Sequence, residues 1–297
     1  MKKSFIQLHI AVFLAGFTGP LGRLIHLNEG LLVWYRLLIT ASTMWILFLF
    51  TKKLQSISWQ DILKLSVVGL LSALHWVTFY GSIKQSNVSV ALVCFSSVGF
   101  FTALFEPLIV RKKINRTELL LGILVIIGIY IIFHFDPKYK TGIILGVLCA
   151  ILLAFSMIFL RGFIQKMNPE TALTYQLSGA FVYLTLLMPL YLYYFPTDYL
   201  IPDIKDWVWL LILGWLCSVL AFQLTGHSLK RLTAFTVNLN FNLEPVYGIL
   251  LAFILFGEGK ELSGSFFIGL SFIALSLILH VIILLKQEKK LEHHAAH

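Results

Sequence analysis

Five polar side chains cluster in an otherwise apolar stretch in the last fifth of the chain. Asn240, Glu244 and Tyr247 recur at helical spacing, so one face of a helix would present all three. Asn238 and Asn242 form a second polar strip beside that face. Ionisable groups inside a membrane are costly and usually face the protein interior or water. Two interpretations therefore stay open: a site for a substrate or for a coupling proton bound at Glu244, or hydrogen bonds that only join helices.

Arg36 is the natural opposite charge to this acid. The pair Tyr35-Arg36 is matched 140 residues later by Tyr175-Gln176, so a planar donor stands at the same place in both stretches. The rigid guanidinium of Arg36 suits a substrate carboxylate, which it can bind through two parallel hydrogen bonds. The alternatives are a structural ion pair with Glu106 or with the buried acid, or a side chain that reaches toward the membrane surface.

A third group of candidates is mainly aromatic. His75, Trp76, Phe79 and Tyr80 follow one another in a single apolar stretch, and Gln223 lies in another. Rings that line a cavity would suit an amphipathic solute with an apolar or cationic part, and His75 could also relay protons near neutral pH. Aromatic residues make up 14% of the chain, so packing is the competing interpretation for most of them.

The elements that position these residues are predicted to be membrane-spanning helices. The chain is 59% hydrophobic and 12% charged, whereas soluble proteins have about 25% charged residues. Backbone polar groups find no water in lipid, so each apolar run must form a helix. The predicted fold is an all-α integral membrane protein with ten transmembrane helices, which we call spans one to ten: 5–26, 31–50, 62–83, 88–110, 117–135, 141–163, 171–195, 207–229, 234–256 and 264–285.

The chain contains an internal repeat. The segment NEGLLVWYRL, which begins at Asn28, aligns with NPETALTYQL at Asn168, a shift of 140 residues. SIKQSNVSV at Ser82 aligns with SLKRLTAFT at Ser228, a shift of 146. Each copy holds five spans, an odd number, so the second copy must enter the membrane inverted relative to the first. Two inverted five-helix repeats are typical of secondary transporters, whose sites lie near the midplane between the copies.

Basic residues predict the orientation. Lys and Arg are concentrated at the N-terminus and in every second connection, whereas the other side holds Arg23, Lys84, Lys138, Lys140, Lys205 and Lys260. The rule that cytoplasmic loops are richer in basic residues places both termini in the cytoplasm. The net charge of +9 is thus explained by topology and does not indicate binding to nucleic acid.

With these features in hand, the chain resembles the drug/metabolite transporter superfamily, in its EamA-type branch. The resemblance rests on Arg36 in VWYRLL, on FYGSIKQSNVSVA between spans three and four, and on NLEPVYGILLAFILFGE, which ends in Gly257-Glu258. It implies a multi-pass carrier of a bacterial-type inner membrane that works by alternating access. Such carriers are often exporters of amino acids or other small metabolites.

The expected function is a secondary transporter that exports a small amphipathic metabolite, most simply an amino acid. An importer or antiporter of an anionic, nucleotide-like metabolite is the alternative, and a scaffold or an intramembrane enzyme ranks lower. Nucleotide-binding, metalloprotease and nucleophile motifs are absent, so we expect neither an enzyme nor a cofactor nor a metal. The expected organisation is a first repeat over 1–137, a second over 138–288, and a tail over 289–297 that resembles a histidine tag.

Overall fold

The computed structural model describes residues 2–111, 113–229, 241 and 243–295, and every regular element in these ranges is a helix. The helices are Lys2–Gly16 and Thr18–Leu24 in span one, Glu29–Phe50 in span two, Trp59–Gln85 in span three, Val88–Phe95 and Val98–Val110 in span four, Arg116–Phe135 in span five, Pro137–Tyr139 and Lys140–Ile164 in span six, Pro169–Tyr194 in span seven, Ile204–Leu211, Ile212–Leu220 and Ala221–Leu229 in span eight, Glu244–Phe256 in span nine, and Glu258–Lys260 followed by Gly264–Ala295 in span ten.

The number of spans agrees with the sequence prediction. Within the described ranges, nine helical stretches are long and apolar enough to cross a membrane, and Glu244–Phe256 is a shorter apolar helix. Span nine is the incomplete one, because residues 230–240 and 242 lie outside the described residues. The candidates Asn238, Asn240 and Asn242 therefore also lie outside them.

The helix starts confirm that the copies are inverted. Asn28 begins span two by accepting a hydrogen bond from the backbone N–H of Leu31 at 2.8 Å. Its counterpart Asn168 begins span seven by accepting from Thr171 at 2.9 Å. Asn168 also donates to the carbonyl oxygen of Lys53, which follows span two, whereas Asn28 precedes span two, so the equivalent caps lie at opposite ends of the bundle. We call the end with connections 25–28, 86–87, 195–203 and 257–263 the Glu258 end, and the opposite end, which holds 51–58 and 165–168, the Gln55 end.

Close backbone contacts hold the bundle together. Span three packs along spans six and seven, and spans five and ten pack on each other. In the second pair a Cβ added to Gly128 would lie 2.5 Å from the carbonyl oxygen of Gly269, and one added to Gly269 would lie 2.5 Å from that of Gly128. Only glycine allows this approach.

Spans one and four are each interrupted by a short turn within their length. Span one breaks at Phe17, and span four breaks at Ser96 and Ser97 before its second helix starts at Val98. Interrupted helices near the midplane are typical of substrate sites in secondary transporters.

Candidate functional site

Arg36 is the centre of a buried polar cluster. Its side chain, 3% exposed, donates from Nε and Nη2 to the hydroxyl of Ser218 at 3.2 and 3.0 Å. Nη1 donates to the hydroxyl of Tyr80 at 2.9 Å, and the guanidinium carbon lies 4.4 Å from the ring centre of Trp76. All three partners are neutral, so they orient the guanidinium without neutralising its charge.

The guanidinium keeps donor capacity after these bonds. It carries five N–H groups, and three of them are engaged by Ser218 and Tyr80. Each terminal nitrogen of Arg36 therefore retains one N–H that no described residue accepts. Two parallel N–H groups on a guanidinium match the two oxygens of a carboxylate.

Glu244 provides the opposite charge at a distance. It is half-buried and close enough to Arg36 to interact electrostatically. No hydrogen bond or ion pair joins its carboxylate to another described residue. Tyr247, almost one turn further along, packs its ring edge-on against Phe13 of span one, with ring centres 5.6 Å apart. Span nine thus brings a carboxylate within electrostatic range of Arg36, with no ion pair to another described residue.

The alternative ion pairs for Arg36 are not observed. Glu106 pairs instead with Arg161 of span six, at 3.0 Å on an exposed part of the bundle. Glu244 makes no direct pair with Arg36. The only negative charge that the described residues bring near Arg36 therefore acts through space.

Aromatic rings continue the wall of the Arg36 cluster. The ring of Phe79 lies 5.4 Å from that of Tyr80 and 5.6 Å from that of Phe95. His75 lies 5.7 Å from Trp76, and its Nδ1 is 3.1 Å from the Cys149 sulfur, within hydrogen-bond distance. Span three therefore supplies all four of its predicted site residues to one continuous surface that reaches Arg36.

The inverted repeat places a second, neutral cluster in the equivalent position. Gln176, the counterpart of Arg36, donates from Nε2 to the hydroxyl of Ser72 at 2.7 Å. Ser72 is the counterpart of Ser218 at the shift of 146, and its hydroxyl also lies 2.7 Å from that of Ser156. The same helix–helix contact is thus made twice, once with a cation and once with an amide.

The remaining candidates lie elsewhere. The hydroxyl of Tyr35 donates to the carbonyl oxygen of Leu200 at the Glu258 end, at 3.2 Å. Tyr175 packs its ring against Trp45, with ring centres 5.3 Å apart. Gln223 is half-buried in span eight. The structure does not bring the two tyrosines to the Arg36 cluster.

Ser218 is the residue that sequence reasoning missed. A serine in an apolar helix carries little signal by itself. The repeat did contain one, since Ser72 and Ser218 are aligned just as Arg36 and Gln176 are. A search for polar residues that are aligned between the copies on two helices at once, and not on a single helix, would have found Ser218.

Three buried carboxylates, those of Asp136, Asp206 and Glu258, join the copies at the Glu258 end. Glu258, 0% exposed, accepts from the backbone N–H of Val88 at 3.0 Å and of Ser89 at 2.8 Å, and from the Ser89 hydroxyl at 2.5 Å. It also forms an ion pair with Arg23. Asp206 of span eight, likewise buried, accepts from the backbone N–H of His26 at 3.0 Å. These bonds close this end of the bundle between the first and second copies.

In the part of the chain that the structure describes, no group of His, Cys, Asp and Glu side chains has an arrangement that could hold a metal ion. The polar centre consists of a guanidinium, a carboxylate, hydroxyl groups and aromatic rings. These groups can bind a charged or zwitterionic organic solute through hydrogen bonds, ion pairing and stacking.

Helical spans in two inverted copies, with charged groups buried between them, define a polytopic membrane protein of the transporter class. The chain belongs to the EamA-like transporter family, whose model matches residues 2–134 and 140–280, and this is consistent with the drug/metabolite transporter superfamily.

Individual relatives add to this assignment. The chain is 43% identical over 70 residues to a permease-like protein, YdzE, of Bacillus subtilis (strain 168). The aligned stretch covers 24% of this chain and 86% of that protein. A solved crystal structure matches with a TM-score of 0.64 and 16% identity over 95% of this chain and 98% of the other. At that identity the likeness concerns the fold alone.

Proposed function

We propose that this protein is a secondary transporter that exports a small zwitterionic metabolite, such as an amino acid, by alternating access. The observation that carries the proposal is the state of Arg36: a buried guanidinium whose described partners are neutral, with one N–H on each terminal nitrogen that no described residue accepts. A buried cation without a direct counterion is costly. A substrate carboxylate would supply the missing charge and accept both N–H groups.

Glu244 supports a zwitterion over a simple anion. It lies within electrostatic range of Arg36, and no described residue neutralises it directly. Its carboxylate would face the ammonium group of a substrate whose carboxylate binds Arg36. It would otherwise bind the proton that drives exchange. Either role suits two opposite charges that are close but not paired.

Flux into proteoliposomes tests the proposal, with a panel of radiolabelled amino acids that ranges from glycine to tryptophan. We expect saturable transport of at least one amino acid. Arg36→Gln should abolish it, because a neutral amide cannot replace the charge, and Arg36→Lys should retain part of it. Glu106→Gln is a matched control, because Glu106 pairs on an exposed surface and its loss should leave flux unchanged.

The roles of Glu244 are separated by the same assay with and without a pH gradient. If Glu244 binds the substrate ammonium, Glu244→Gln raises KM whether or not a gradient is present. If it binds the coupling proton, the variant keeps exchange but loses the response to the gradient. Normal flux by Glu244→Gln under both conditions would exclude both roles. Transport of dicarboxylates or phosphorylated compounds, with no transport of amino acids, would favour the anion carrier instead.

A further inference from the structure

Spans three and eight are equivalent helices, and their first halves align at one constant shift. Ser58 and Asp203 cap the two helices, each accepting from the backbone N–H of an aspartate three residues on. The caps are 145 residues apart. Gly69 and Gly214 are also 145 residues apart, and each lies where an added Cβ would clash with the neighbouring helix, span seven for Gly69 and span two for Gly214.

The alignment changes by one residue immediately after these glycines. Ser72 and Ser218, which make the equivalent bonds to Gln176 and Arg36, are 146 residues apart. The first copy reads Gly-Leu-Leu-Ser from Gly69, and the second reads Gly-Trp-Leu-Cys-Ser from Gly214. Span eight therefore contains one more residue than span three between two conserved packing points.

The helix geometry changes at the same place. Ile212–Leu220 is a π-helix, whereas span three is α-helical from Trp59 to Gln85. The hydroxyl of Ser72 donates to the carbonyl four residues back, at 3.3 Å, and that of Ser218 donates five residues back, at 3.0 Å. A π-helical turn accommodates an extra residue without displacing the flanking turns, and such turns are frequent at functional sites.

The extra residue adds a side chain to the interior of the bundle. Trp215 and Leu216 are exposed on the outer surface, whereas Cys217 and Ser218 are consecutive and both buried. Cys217 directly precedes Ser218, whose hydroxyl accepts from Arg36 at 3.2 and 3.0 Å, so Cys217 lies in the turn that contacts the guanidinium. The second copy thus buries Cys217 just before Ser218, whereas the residue just before Ser72 in the first copy, Leu71, is only half-buried.

We propose that the one-residue insertion in span eight determines which substrates fit beside Arg36. The π-helix keeps Ser218 in position to orient the guanidinium, and Cys217 forms the wall against which the side chain of the bound metabolite packs. This inference rests on the proposed function, and it assigns the size selectivity of the site to a position that the first copy lacks.

Substitution of Cys217 tests the proposal in a protein that should fold normally. The ratio of kcat/KM for leucine to that for alanine is measured in proteoliposomes. Cys217→Leu narrows the site and should lower the ratio roughly tenfold, the selectivity that one or two methylene groups provide. Cys217→Ala should raise it. Cys94→Ala is the matched control, because Cys94 is equally buried but faces span six at Gly146, and it should leave the ratio unchanged.

Deletion of Cys217 tests the insertion itself, since span eight would then read Gly-Trp-Leu-Ser, with the same glycine-to-serine spacing as Gly-Leu-Leu-Ser in the first copy. We expect a folded carrier that keeps the Arg36–Ser218 contact but has an altered leucine-to-alanine ratio. Deletion of Asp198, in the exposed connection before span eight, shortens the chain equally and should leave the ratio unchanged. If the deletion of Cys217 prevents folding, the substitutions decide.

The outcomes separate the two proposals. An unchanged ratio in both Cys217 variants, or an equal change in Cys94→Ala, would overturn the role of the insertion while leaving the Arg36 site intact. Normal flux by Arg36→Gln would instead remove the proposed function, whatever the Cys217 variants do.

Discussion

Glu258 provides the sharpest test of how the two copies are joined. Its carboxylate accepts both backbone N–H groups that begin span four, and it also pairs with Arg23. Two explanations of its burial are possible: it serves as the cap of span four, or it is the partner of a cation. If Glu258 serves as the cap, its loss should cost more stability than the loss of Arg23. If it serves as the partner of a cation, the two losses should be equal.

The magnitudes follow from burial. In Glu258→Ala, the N–H groups of Val88 and Ser89 lose their acceptor, and an unsatisfied buried donor costs about 1–3 kcal/mol. Some relief by water leaves a total of about 3 kcal/mol. Arg23 is 36% exposed, so its ion pair contributes no more than about 1 kcal/mol. After Arg23→Ala the carboxylate still has three donors and the positive end of a helix.

The assay is thermal unfolding of the detergent-solubilised protein, for which about 1 kcal/mol corresponds to roughly 2–4 °C. We expect Glu258→Ala to lower Tm by roughly 6–12 °C and Arg23→Ala by roughly 2–4 °C. Glu258→Gln, which keeps one acceptor, should fall between them. Glu261→Ala is the control, because Glu261 is exposed on the same connection. If Arg23→Ala costs as much as Glu258→Ala, the ion pair and not the cap holds this end closed.

Three further predictions concern the repeat and the site. Asn28→Ala should cost about 1 kcal/mol, because it removes a helix cap. Asn168→Ala should cost more, because Asn168 also donates from Nδ2 to the carbonyl oxygen of Lys53 at 2.7 Å, and an equal loss of Tm would argue against that second bond. Gly128→Ala should lower Tm, because its Cβ would meet the facing carbonyl of span ten. Gly264→Ala should leave Tm unchanged, because the space around Gly264 is open. Equal effects would contradict the close packing of spans five and ten. Tyr80→Phe removes the hydroxyl that accepts from Nη1 of the buried guanidinium. It should raise KM for a transported amino acid about tenfold, with little change in kcat. A loss confined to kcat would show that this hydroxyl acts on the transport step and not on binding.

Much of the fold follows from local properties of the sequence. Hydropathy and the lack of water in lipid predict the spans, and the odd number of spans per copy predicts the inversion. The repeat also aligned Asn28 with Asn168, and each of them caps a helix. These properties depend on neighbours in the chain or on the membrane, so they can be read without knowing which helices touch.

The candidate site was less accessible to sequence reasoning. Trp76 and Tyr80 were proposed because aromatic rings that line a cavity would suit an amphipathic solute, and the structure brings both into contact with Arg36. Tyr35 was included because it is adjacent in sequence, but the residue next to a site residue in a helix points about 100° away. Its hydroxyl accordingly bonds at the Glu258 end.

The sequence alone determined that this protein is a ten-span inverted repeat with an arginine and a glutamate buried in its membrane domain. Tertiary structure decided what those charges face. The bond from Arg36 to Ser218 joins residues 182 positions apart. The π-helix that presents Ser218 contacts span two at Gly214, before the inserted residue, and at Ser218, after it. Such contacts depend on how helices pack against each other, and hydropathy within one helix carries no information about its neighbour.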